Sequence, residues 1–258
     1  MPSGVGVRLP RRALSSAVEG VWWASVSRVK LSVLVPVYNE APTVVAAIKR
    51  MQDVDYPCEV EFVVVDDGST DGSRELLTAL PDRRTSVLHH AHNQGKGAAI
   101  RTAAQAATGD YLVVLDADLE YSADEIPVLL QPILSGEAEV VYGTRSFGAH
   151  TSYSFWYVVG NKAVTMFACA IFDCWISDLE TCLKLMPLPL YRELDIRAKG
   201  FGMEAELTGK LLGRGYRPFE VPITYKARSR DEGKKLTWRD GVEAIWILAR
   251  ERARARKP

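Results

Sequence analysis

Three apolar, β-branched runs constrain this chain more than any other feature: KLSVLVPVY (30–38), EVEFVVVDD (59–67) and DYLVVLDAD (110–118). Successive side chains of a strand point to opposite faces, so an unbroken apolar run marks a strand covered on both sides. Between these runs the pattern turns helical. Asn39 is positioned to cap a helix reaching about Met51, with Glu40 in its first turn, and Ser69 or Thr70 to cap another reaching about Leu80. A weaker strand is expected near 85–89, and NQGKGAAIRTAAQAATG reads as a helix closed by Gly109. SADEIPVLLQPIL and AEVVYGTR continue as helix and strand. Alternation at this spacing gives an α/β fold: a mostly parallel sheet with helices on both faces. Ligands of such sheets bind beyond the carboxyl ends of the strands, where Tyr38, Asp66, Asp67, Asp116, Asp118 and Arg145 fall.

Past residue 150 the pattern changes to a helical apolar stretch over 154–172, then ISDLETCLKLMP, GFGMEAELTGKLLGRGY and a short strand in PFEVPITY. A basic loop and terminal helix end the chain. No repeat and no Pro/Gly-rich linker marks a second globular unit. The expected organisation is a basic arm over 1–30, partly disordered or a surface helix, an α/β domain over 31–225, and a basic loop with C-terminal helix over 226–258.

Charge follows the same division. The formal net charge is zero, but residues 1–30 carry +4 and 226–258 carry +6, so 31–225 hold −10. An acidic body with basic ends suits metal-assisted chemistry inside and an anionic partner outside. Cys58, Cys169, Cys174 and Cys182 show no C-x-x-C spacing, which argues against zinc and for reduced thiols in the cytoplasm. No continuous apolar segment near the N-terminus suggests a signal peptide, and AVTMFACAIF (163–172) is expected to be too short for a bilayer. His89, His90, His92 and His150 lack ligand spacing and are expected at the surface.

Asp116-Ala-Asp118 sets two carboxylates where a buried strand opens into a loop. Magnesium takes one or two carboxylates together with substrate phosphates, and Glu120 adds a third oxygen donor nearby. A nucleotidyltransferase would show a glycine-rich phosphate loop after its first strand, and VPVYNEAPT has none. The basic tail lacks the interleaved aromatics of a nucleic-acid platform beyond Trp246, so nucleic acid is not an expected partner.

LSVLVPVYNE, VVVDDGSTDGS, NQGKGAAIRTA, GDYLVVLDADLE and VVYGTR occur in that order. Together they resemble the family 2 glycosyltransferases of GT-A fold. SDLETCLKL, GFGMEAEL and EGKKLTWRDG extend the resemblance over about 31–248, towards the dolichyl- or polyprenyl-phosphate mannose and glucose synthases. The resemblance implies that Pro36, Tyr38 and Glu40 hold the nucleoside, that Asp67 or its neighbour Asp66 reads the base, and that Asp116 and Asp118 hold Mg²⁺ or Mn²⁺ on the donor diphosphate. Glu120 stands where the mannose synthases usually have Gln. Lys96, at the start of a helix, is a donor-phosphate candidate.

A phosphate acceptor needs cations, for which Arg145, Arg228, Lys234 and Lys235 are the candidates. A hydroxyl acceptor needs a base, for which Asp178 or Glu180 are. The implied partners are UDP-glucose or GDP-mannose, a polyprenyl phosphate, and a membrane touched peripherally on its cytoplasmic face by Trp22, Trp23, 154–172 and 250–257. A membrane subunit or a second copy of the chain are further partner candidates.

Overall fold

The computed structural model describes residues 29–80, 83–151, 154–200, 202–227 and 238–255. The candidates Arg228, Lys234 and Lys235, the arm with Trp22 and Trp23, and Arg256 and Lys257 lie outside the described residues. Seven strands form one sheet: β1 (Lys30–Val37), β2 (Glu59–Asp66), β3 (Thr85–His89), β4 (Tyr111–Val114), β5 (Val141–Thr144), β6 (Lys184–Pro187) and β7 (Phe219–Pro222). Their order is β3-β2-β1-β4-β6-β5-β7. Only β6 runs against its neighbours, pairing antiparallel with β4 and β5. The GT-A expectation of a mostly parallel sheet flanked by helices is met.

The apolar runs sit at the centre. Leu31, Val33, Leu34 and Val35 of β1 are fully buried between β2 and β4, and Leu112 and Val113 of β4 are fully buried between β1 and β6. Register then places the acidic ends side by side. Val37 pairs with Asp66, the Asp67 amide donates to the Val37 carbonyl at 2.8 Å, and the Leu115 amide donates to the Leu34 carbonyl at 3.0 Å. Asp67 and Asp116 therefore leave the sheet at one edge.

The helices are α1 (Val44–Asp53), α2 (Ser73–Thr78), α3 (Lys96–Ala106), α4 (Ile126–Leu134), α5 (Phe155–Phe172), α6 (Leu188–Leu194), α7 (Gly202–Gly213) and α8 (Trp238–Ala255). Their ends differ from the expected caps. Asn39 is left-handed at φ 55°, a conformation Asn tolerates. It bridges loops instead of capping α1: its amide donates to Ser69 Oγ at 3.0 Å and its Oδ1 accepts from the Thr70 amide at 2.9 Å. Helix α2 begins after left-handed Gly72, so Ser69 and Thr70 belong to that bridge. Helix α3 ends at an extended Ala107. Gly109 serves close approach: a Cβ there would stand 2.6 Å from Ser32 Oγ on β1.

A second apolar core joins α5, α7 and α8 through Val164, Ala168, Phe172, Leu212, Ile247 and Leu248. Each fully buried Leu or Ile contributes about 1.5–3 kcal/mol, enough to anchor the C-terminal helix. The apolar stretch expected to be too short for a bilayer is only the C-terminal part of α5. That helix runs 18 residues, with 22% of it buried, and is long and apolar enough to cross a membrane by length and composition. The basic tail is also less free than its sequence suggests. Arg250 and Arg254 both pair with buried Glu251 at 2.9 Å, and Arg252 donates to the Ile171 carbonyl.

Candidate active site

A cavity of about 320 Å³ lies beyond the carboxyl ends of β1, β2 and β4. It gathers Pro36, Tyr38 and Glu40 from the loop after β1, Asp67 from that after β2, and Lys96 from the start of α3. Asp116, Asp118 and Glu120 come from the loop after β4, with Arg145 and Glu180 from later loops. Asp66 does not line it. Its carboxylate is fully buried beneath, accepting from Arg74 Nε at 2.8 Å and the Ser69 amide at 3.0 Å. Burial opposes its ionisation, but these donors prevail and lower its pKa. Of the two adjacent acids, Asp67 faces the site.

Asp67 also shapes the loop that follows. Its Oδ1 accepts from the Gln94 amide at 2.9 Å and its Oδ2 from the Gly95 amide at 2.8 Å. His90, expected at the surface, is buried, with Nδ1 2.6 Å from Asp67 Oδ1 and Nε2 2.9 Å from Thr102 Oγ1. Gly95 is left-handed at φ 96°, and a Cβ there would collide with the Lys199 carbonyl. The turn thus delivers Lys96 into the cavity.

Lys96 Nζ lies 2.8 Å from Asp116 Oδ2 and 3.4 Å from Glu204 Oε1. Burial pulls its pKa down, but Asp116 and Glu204 hold it well above the ordinary lysine value. Glu204 also pairs at 2.7 Å with Lys184, which donates to the Leu179 carbonyl at 2.8 Å and lies over the Tyr142 ring. Asp116, Lys96, Glu204 and Lys184 form an alternating chain of charge. Sequence reasoning missed Glu204, Lys184 and His90. The motif GFGMEAEL contains Glu204, yet only folding opposes it to Lys184 and Lys96.

The residues present fit a divalent ion. Asp116 and Asp118 offer hard carboxylate oxygens to one cavity, and Asp118 Oδ1 is oriented by the Glu120 amide at 3.0 Å. No group of three His, Cys, Asp or Glu side chains converges among the described residues. Magnesium sites completed by phosphate and water do not need one. Glu120 instead accepts from Tyr225 Oη at 2.7 Å, which places it beside the carboxylate pair with a second task.

At the other end, Arg145 and Asp178 form a two-pronged pair: Nε to Oδ2 at 2.6 Å and Nη2 to Oδ1 at 2.7 Å. Burial would raise Asp178, but the guanidinium holds its carboxyl below the usual range. Asp178 is therefore a weak base, already engaged, and lies off the main cavity. Glu180 faces it. Burial, with Glu204 adding repulsion against the attraction of Lys184, pushes its carboxyl up to about 7.

The family model described as Glycosyl transferase family 2 matches residues 32–175. The chain belongs to that family. Among its relatives, this family 2 chain is 28% identical to a dolichol-phosphate mannosyltransferase from Pyrococcus furiosus, over 80% of this chain and 59% of that protein. It is also 28% identical to a polyprenol monophosphomannose synthase from Mycolicibacterium smegmatis, over 76% of this chain and 77% of that one. In fold it resembles glucosyl-3-phosphoglycerate synthase from Mycobacterium tuberculosis, solved with Mn²⁺, UDP and glucosyl-3-phosphoglycerate. The TM-score is 0.67 at 21% identity, covering 95% of this chain and 87% of that one.

Proposed function

We propose that the chain is an inverting glycosyltransferase that moves a hexose from UDP-glucose or GDP-mannose to a polyprenyl phosphate at the cytoplasmic face of a membrane. The observation that carries the phosphate acceptor is the Arg145–Asp178 pair. Asp178 stands off the main cavity and is held by the guanidinium of Arg145, which does line it, so the group facing the acceptor there is a cation and not a free base. The names of the relatives support the same class of acceptor.

The mechanism follows from charge. Pro36, Tyr38, Glu40 and Asp67 line the part of the cavity that would receive the nucleoside. Asp116 and Asp118 would hold Mg²⁺ or Mn²⁺, which when bound stabilises the negative charge of the departing diphosphate. Lys96 stays protonated beside Asp116 and adds a fixed positive charge for the diphosphate. A phosphate monoester has a second pKa near 6, so the acceptor is already ionised at neutral pH and needs no base. Its oxygen forms the new bond to the anomeric carbon from the face opposite the diphosphate. The nucleoside diphosphate leaves with the electron pair of the broken C–O bond, which inverts the centre. Arg145 orients the acceptor phosphate by charge-assisted hydrogen bonding.

A second reading has its own observation. A carboxyl with a pKa of about 7 facing the cavity is suited to remove a proton from a hydroxyl acceptor, and Glu180 would be that base. The test is incubation of purified protein and Mg²⁺ or Mn²⁺ with a panel of nucleotide sugars, offering geranylgeranyl phosphate or a sugar acceptor. Glycosylated lipid phosphate is the expected product. Transfer to the sugar acceptor alone would replace the phosphate reading with the second one.

A further inference from the structure

We propose that Lys162 seats the acceptor's phosphate in a side cavity under α5, and that Phe155, Trp156 and Val159 of the same helix carry its prenyl chain. This rests on the polyprenyl-phosphate reading above. The side cavity is lined by Arg145, Ser146, Tyr157, Asn161, Lys162 and Tyr225, with Asp178 at its wall, and shares Arg145, Tyr157 and Tyr225 with the main cavity. It is therefore a branch of the same site. At about 30 Å³ it takes one or two oxygen-sized groups and excludes a sugar. A phosphate standing in the main cavity fits that limit by extending its oxygens into the branch.

The charges select the ligand. Arg145 is matched by Asp178, whereas Lys162 meets no carboxylate at ion-pair distance among the described residues. Its Nζ donates to two neutral oxygens, Ser146 Oγ at 2.6 Å and the Ser177 carbonyl at 2.9 Å. An ammonium has three N–H groups, so one remains for an incoming anion. Arg145 and Lys162 against Asp178 leave the branch with a net positive charge. A phosphate monoester supplies the missing negative charge, and oxygen acceptors of the size the branch admits.

The rest of α5 separates the two sources of such a phosphate, a lipid or a small soluble metabolite. Phe155 and Trp156 are 69% and 75% exposed and Val159 40%, forming an apolar ridge that starts about one turn before Lys162 and runs to about two turns from it. Phe155 and Trp156 stack edge to face at 5.3 Å. Aromatic area of this size is seldom left in water without a ligand or partner. A soluble phosphate would not use it; a prenyl chain leaving the branch would cover it.

The experiment measures steady-state kinetics with geranylgeranyl phosphate and dimethylallyl phosphate, and donor affinity by calorimetry. Losing a hydrogen bond between charged groups costs about 10- to 100-fold in affinity. Lys162→Met is expected to raise the acceptor KM at least about tenfold for both acceptors, change kcat less than about threefold, and leave donor affinity unchanged. Lys162→Arg should restore most of the loss. Trp156→Ala should raise KM for the long acceptor alone. An unchanged KM in Lys162→Met, or an equal loss of donor affinity, overturns the phosphate seat. Equal effects of Trp156→Ala on both acceptors, or none, overturn the prenyl track. A wild-type protein that glycosylates neither lipid, yet binds donor, overturns the acceptor reading itself.

Discussion

Glu180→Gln preserves the shape of a cavity-lining side chain while removing its titration. The folded carboxyl is pushed up from 4.5 to about 7 by burial. At 1.36 kcal/mol for each tenfold change in proton concentration, the ionised form is disfavoured by about 3 kcal/mol. The sign follows from linkage. Between these two pH values the folded chain keeps a proton that the unfolded chain has lost, so this contribution is full below about pH 4.5 and is lost as pH rises through about 7. Gln cannot titrate. The stability of Glu180→Gln relative to the native protein should therefore increase by up to about 3 kcal/mol between pH 4.5 and pH 8. Urea unfolding at intervals across that range measures it. A difference that stays flat with pH would refute the burial argument. The same variant reports on chemistry: with an ionised phosphate as nucleophile, kcat should fall less than about tenfold, whereas loss of a general base removes about 10²- to 10⁴-fold.

Asp116→Asn and Asp118→Asn should each abolish transfer, and chelation of divalent ions by EDTA should do the same to the native protein. Asp118→Asn should change the thermal midpoint little, because Asp118 lies on the loop open to the cavity, whereas Asp116→Asn also removes the 2.8 Å partner of Lys96 and should lower it; full activity of Asp118→Asn or in EDTA would contradict the metal assignment. Lys184→Met leaves buried Glu204 without its 2.7 Å partner and should destabilise the fold by about 3–5 kcal/mol, read by urea unfolding. His90→Ala removes a buried support of Asp67 and should weaken nucleotide binding measured by calorimetry while barely moving the affinity for acceptor phosphate. Binding to anionic vesicles at low salt should depend on Trp156 and Trp246, which are 75% and 61% exposed, more than on Arg254, which is held by Glu251. Co-sedimentation of the Trp and Arg254 variants compares them.

The sheet and the acidic edge of the cavity were legible because both are written locally. A strand covered on both faces needs an unbroken apolar run, and DDGS and DAD mark where β2 and β4 open into loops. The helix caps were not. Asn39, Ser69 and Thr70 are good capping residues, but their hydrogen bonds join loops 30 and 31 positions apart, and a local pattern carries no such partner. The same limit applies to Lys184 and Glu204. A lysine within an apolar strand reads as an oddity until α7 places a carboxylate against it. Asp66 and Asp67 were equivalent as sequence neighbours. Alternation along the strand settled them, turning Asp66 to Arg74 beneath the site and Asp67 to the cavity.

The acceptor claim can be read on phosphorus itself. A prenyl phosphate is a monoester whose ³¹P resonance moves with pH around its second pKa near 6, and glycosylation makes it a diester with no such titration. The full chain, Mg²⁺ or Mn²⁺, a nucleotide sugar and geranylgeranyl phosphate are combined, and the lipid phosphorus is followed by NMR. The account predicts that the titrating signal is replaced by one that does not move between pH 5 and 8, in step with release of nucleoside diphosphate. Release of nucleoside diphosphate while the lipid phosphorus keeps titrating, with the sugar found on a hydroxyl, would contradict it.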